Sequence, residues 1–109
     1  MERLQVESTL PVAIHIVANQ KPMKLKKVVV RSLTTEESLL SQGRLLPGQF
    51  ISIGDLASMT KLVDDEGNEH QMLYEHLAHT SKANYKKLQE LELELEAKET
   101  AESTKAEHD

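Results

Sequence analysis

The fold class predicted here is α+β: an N-terminal antiparallel β-hairpin packed against three to four helices, the last of them longer and followed by a disordered tail. Three observations predict it. Two β-rich stretches, Leu10–Val17 (LPVAIHIV) and Lys24–Arg31 (LVVV among lysines), are separated by the short polar ANQKP, the pattern of a hairpin. Thr34 and Glu37 then form the capping-box pattern that opens a helix. Finally, Leu, Glu and Lys crowd the stretch after Thr80-Ser81 with leucines at near-heptad spacing.

In chain order, Met1 to Ser8 reads as a loose lead-in. In the first strand Leu10, Val12, Ile14 and Ile16 share one face, and Ala13, His15 and Val17 the other. Pro11 lacks an N–H and so belongs near a strand start or on an edge. Asn19 suits the left-handed backbone of the turn. The second strand has a parity problem. Met23 and Leu25 point one way, Val28 and Val30 the other, and the switch falls at Lys26-Lys27. A one-residue bulge there restores a continuous apolar face; alternatively both faces are partly covered and Val29 packs on a helix. A helix over Thr35–Gln42 follows, with Leu39 and Leu40 as its apolar contacts, Glu36 and Glu37 favoured by its dipole, and Gly43 as a left-handed stop. Pro47-Gly48 marks a turn. Phe50 to Val63 reads as a helix begun by Ser52 and Asp55, with Gly54 weakening it by about 1 kcal/mol relative to alanine. Asp64–Glu69 is an acidic turn in which Gly67 takes positive φ. Gln71–His79 forms a short helix, and Lys82 to about Lys98 a long one, with Lys86 near Glu90. Residues 1–96 form one domain, and 97–109, polar and without apolar periodicity, a disordered acidic tail.

A chain of 109 residues without cysteine carries no disulfide or thiolate chemistry. No signal peptide or membrane-length apolar run is visible, which implies a cytoplasmic protein. The net charge of -5 is unevenly spread. Residues 1–33 carry six Lys/Arg against Glu2 and Glu7, whereas 61–109 carry six Lys against thirteen acids. That partition fits head-to-tail association or a charged partner. It equally fits lysines that block strand edges and glutamates on solvated helices.

No enzyme, cofactor or metal signature emerges. His70, His76 and His79 invite a metal reading, but EHLAH is not H-E-x-x-H and surface histidines suffice. The run at 64–68 fails the spacing of a calcium loop. There is neither a nucleophile elbow nor a phosphate-cradling glycine loop. Lys24, Lys26 and Lys27, with Lys21 and Arg31, form a basic hairpin that could contact nucleic acid, yet three aromatics offer almost no stacking platform and the net charge opposes it. The strongest partner-binding pattern is Leu88, Leu91 and Leu95. Core packing explains the first two, and Leu95, nearer the acidic end, is the better candidate for a protein partner or for a second copy in a homo-oligomer.

Two segments carry a family resemblance. Leu10–Val17 with MKLKKVVVRSLTTEESLL, and LAHTSKANYKKLQELELELE, resemble the tail assembly chaperones of tailed phages, especially the small proteins of Mu-like prophages. Together they cover under half the chain. Asn84 precedes Tyr85 where that family commonly has Asp, and Glu36-Glu37 stands where its first helix usually has Asp. The resemblance implies a non-enzymatic role in the bacterial host cytoplasm. The protein would cover the long apolar helices of a tape-measure protein before the tail tube encloses them.

Overall fold

The computed structural model describes the backbone of residues 4–108 and the side chains of residues 4–101. Four antiparallel strands form one sheet in the order β1 (Gln5–Ala18), β2 (Lys21–Arg31), β3 (Thr60–Val63) and β4 (Glu69–Gln71). Helices α1 (Thr35–Gly43) and α2 (Ile51–Met59) lie between β2 and β3, and α3 (Tyr74–Ala78) and α4 (Lys82–His108) follow β4. The fold is α+β, with the predicted hairpin forming one side of its sheet.

The hairpin turns through Asn19 and Gln20, both at positive φ (54° and 64°), the geometry that follows the sheet's right-handed twist. β1 begins at Gln5, so the second half of the expected lead-in is strand; Met1–Arg3 lie outside the described residues. The ladder breaks opposite Lys26, as the parity of β2 demands, but the surplus lies in β1 rather than β2. Four residues, Leu10 to Ala13, separate the paired Thr9 and Ile14, against Lys26 alone between Lys27 and Leu25. The surplus of three is odd, and that resolves the parity. Before it Val6 and Ser8 oppose Val30 and Val28; beyond it Ile14 and Ile16 oppose Leu25 and Met23. Cross-strand partners share a face, so all these positions point to one side. Pro11, with no N–H to give the ladder, sits inside the interruption, on an edge strand. Val12 loses its expected inward place and is exposed.

One core fills the space between the sheet and the helices, joining Val6, Leu10, Ile14, Leu25, Val28 and Val30 to Leu56, Leu62, Met72 and Leu77. α4 lies across β1 and β2 and adds Leu88, Leu91 and Leu95. Val29 is buried but stands outside that cluster, paired across the ladder with Glu7 and Lys61.

Several expectations need correction. Residues 60–63 are strand, not the end of a helix, because α2 stops at Met59 and the Thr60 hydroxyl donates to the Leu56 carbonyl (2.7 Å), turning the chain into the sheet. Glu69–Gln71 is a further strand, so the next helix starts only at Tyr74. Gly43 stays helical, and Arg44 in right-handed conformation caps α1. Lys87, not Lys86, approaches Glu90 (3.9 Å). Past Glu96 the chain stays outside the core, every described residue from Glu96 to Ala101 being exposed, but its backbone remains helical to His108. Glu, Lys and Ala in that stretch are strong helix formers. The side chains of 102–108, and Asp109, lie outside the described residues.

Candidate functional site

The most site-like feature is a cleft of about 560 Å³ between α1, α2 and the β4–α3 corner. It begins with α1, whose capping box forms as predicted: the Glu37 N–H donates to Thr34 Oγ1 (3.1 Å), and the Thr34 N–H to Glu37 Oε1 (2.9 Å). α1 is a nine-residue helix whose buried residue is Ser41, not a leucine. Ser41 Oγ meets Ser58 Oγ at 2.8 Å and donates to the Gly54 carbonyl (3.3 Å). Small residues bring the two helices together. A Cβ on Gly54 would lie 2.9 Å from Leu45 Cδ2, so a larger residue there would have to push the Leu45 side chain aside.

The floor is therefore made of Ser41, Gly54, Ala57 and Ser58, with Leu40, Leu45, Leu73 and Tyr74 around it. The rim is fastened by polar bonds. Gln71 Nε2 donates to the carbonyls of Ala57 (2.8 Å), Met72 (3.0 Å) and Thr60 (3.2 Å), holding the edge strand to the end of α2. The Phe50 N–H donates to the Tyr74 hydroxyl (2.8 Å), joining α2 to α3. Leu39 and Leu40, expected as inward contacts, are exposed, as are Leu46, Phe50, Ile51 and Leu73. Leu40 and Leu73 are the two of these that line the cleft.

Three cations line the cleft with one acid, Glu37. Arg31 grips Glu69 through two 2.7 Å bonds and donates from Nε to Gln5 Oε1 (2.9 Å). The guanidinium bonds hold the Glu69 carboxyl below its ordinary range. Lys61 donates to Gln71. Arg44 is exposed at the end of α1. An arrangement of apolar walls, small floor and cationic rim suits binding of an apolar segment that carries negative charge.

The sequence-predicted sites are placed elsewhere. Leu88, Leu91 and Leu95 are 0%, 3% and 1% exposed, so all three, Leu95 included, are core residues that no partner reaches in this fold. Lys24, Lys26 and Lys27 are exposed on the hairpin. The histidines do not converge on one another. His70 Nε2 bonds Asp64 Oδ2 (2.9 Å) in the β3–β4 turn, and His76 Nδ1 accepts from the Leu73 N–H (3.0 Å), opening α3. Among the described residues no group of three or more His, Cys, Asp or Glu side chains is placed to hold a metal ion, and no helix is long and apolar enough to cross a membrane. The chain matches no family model, no curated protein and no solved structure.

Proposed function

We propose that this is a non-enzymatic protein-binding domain that holds an apolar helical segment of a partner and keeps it soluble. In that role it would act as a tail assembly chaperone acts toward a tape-measure protein, in the cytoplasm of a phage's bacterial host. The observation that carries the reading is the concentration of exposed large apolar side chains: of the nine among the described residues, five, Leu39, Leu40, Leu46, Phe50 and Ile51, lie in α1, at the start of α2 or between them, and a sixth, Leu73, lies on the cleft. A clustered apolar surface beside a concave site is the ordinary mark of a protein contact. An amphipathic helix laid in a groove is the simplest occupant.

Co-expression with a long helical tape-measure protein tests this. The wild-type chain should keep that protein soluble and co-purify with it, and Leu40→Glu/Leu73→Glu should not. Both positions are exposed, so the variant should keep its circular dichroism and melting temperature. Failure of the wild type to hold the partner, or full retention by the variant, would sink the reading. Leu88→Glu/Leu95→Glu serves as the control for loss through unfolding.

The exposure of Lys24, Lys26 and Lys27 favours a second reading, contact with nucleic acid through the hairpin. It predicts affinity that falls steeply with salt and vanishes when the three lysines are neutralised. Salt-independent binding, or none at 50 mM salt, would dismiss it.

A further inference from the structure

The two sides of the sheet differ in charge. α4 packs on the core side, against β1 and β2. The other side carries Lys24, paired across the ladder with His15, and Lys27, paired with Thr9; Lys26 stands unpaired in the break between them. All three lysines are exposed, and no ion pair or hydrogen bond engages their ammonium groups among the described residues. The exposed side of α4 has the opposite sign. Glu90, Glu94, Glu96 and Glu99 are exposed there against Lys98 alone, a balance of -3 over those five residues, while Glu92 is half-buried. Because the sheet lies between them, one molecule's glutamates do not reach its own lysines.

We infer that the lysine side of the sheet is the docking surface for α4 of a second copy of this chain, so that molecules stack face to back. Each surface also has an apolar contact to cover. Val17 is 73% exposed, pairs with Pro22 and lies two residues beyond His15; Leu93 is 64% exposed among the glutamates of α4. The two surfaces are different patches, so the contact is heterologous. It leaves a lysine side and a glutamate side free at the two ends, and growth has no built-in stopping point unless the rotation closes a ring. The attraction acts between exposed charges. Raising ionic strength from 20 to 200 mM shortens its range to well under half, and should weaken association about ten-fold or more.

Sedimentation equilibrium of the full chain over a concentration series tests this. At 20 mM salt the average mass should rise with concentration above the 12.3 kDa of one chain, without levelling at a dimer, and should fall back toward it at 200 mM. Lys24→Glu/Lys26→Glu/Lys27→Glu and Glu94→Lys/Glu96→Lys/Glu99→Lys should each remain monomeric alone. Mixed together they should associate again, because each restores the sign the other lacks. All substituted positions are exposed, and circular dichroism checks that both variants fold. A monomeric wild type at 20 mM salt overturns the inference, as does association that survives either triple reversal. Failure of the mixture to associate overturns it too, and points instead to a different anion on the lysine side.

Discussion

Asn84 shows most directly how one residue sustains this fold. It is 0% exposed, and its amide answers both backbone groups of Val12 inside the interruption of β1. Its Oδ1 accepts from the Val12 N–H (3.0 Å), and its Nδ2 donates to the Val12 carbonyl (2.8 Å) and to Thr80 Oγ1 (2.9 Å). An amide can donate and accept at once, whereas the ionised Asp that the resemblance led one to expect accepts only. Asn84→Leu should cost on the order of 1–3 kcal/mol in urea unfolding, since it leaves the Val12 N–H and carbonyl without their partner; a loss well under about 1 kcal/mol would show that water replaces the amide. Glu92 is a residue that opposes folding. Burial first, then Glu96 and Asp55, pushes its carboxyl pKa up, and Asp55 Oδ1 is itself buried without a hydrogen-bond partner among the described residues. A raised folded value means the folded chain holds the proton more tightly, so stability falls as pH rises through that window. Glu92→Gln should therefore melt higher than wild type at pH 7, and the advantage should vanish below about pH 4. Neither role was legible in advance. Asn84 occupies a leucine-like position in the near-heptad, and the spacing alone says nothing of a backbone partner 72 residues away.

Among the elements, the hairpin, α1 and α4 were legible because each carries a strong local signal: alternation, a capping box, and helix-forming residues after a cap. Ser81 does open α4, its hydroxyl accepting from the Ala83 N–H (3.1 Å). β3 and β4 were not legible. TKLV is four residues long and follows a helix whose spacing it continues, and EHQ is three. β3 is a strand because β2 offers it an edge, and β4 because β3 in turn offers one, a tertiary reason absent from their own residues. Their turn rests on charge. Asp64 Oδ1 accepts from the Glu66 and Asn68 N–H groups, both at 2.9 Å. The bond to His70, then these backbone bonds, holds the Asp64 carboxyl below its ordinary value, as Arg31 holds Glu69. These carboxylates support the fold above their unfolded values, and the support is lost as pH falls through their lowered folded ones. On acidification the amides of Glu66 and Asn68 should exchange early, ahead of those in β1 and β2; exchange in step with the hairpin would refute this. Within α4 the leucines divide by face. Leu95→Ala should cost about 2–5 kcal/mol, and Leu93→Ala under about 0.5. Equal losses would contradict the packing.

For the whole molecule, the described core ends at Leu95 while α4 runs to His108, and the radius of gyration is 14.7 Å against the roughly 13 Å usual for this length. A chain ending after Lys98 keeps the Lys98 Nζ bond to the Gln5 carbonyl (3.1 Å). Its melting temperature should stay within about 4 °C of wild type, and a larger fall would give the last turns a structural role. The cleft was the least legible part of all. Leu39 and Leu40 look like any inward pair, and only the packing of α1 on α2 through Ser41, Ser58 and Gly54 turns them outward. The pairing of Val12 with Asn84 also bears on how the chain is made. Val12 leaves the ribosome 72 positions ahead of the amide that satisfies it. At usual rates of synthesis that is a wait of about 4–14 s. Through that interval the hairpin must exist with its interruption unfilled and its apolar face uncovered, a state in which an isolated two-stranded ribbon is marginal at best. Folding of the whole sheet is thereby tied to the arrival of the C-terminal helix.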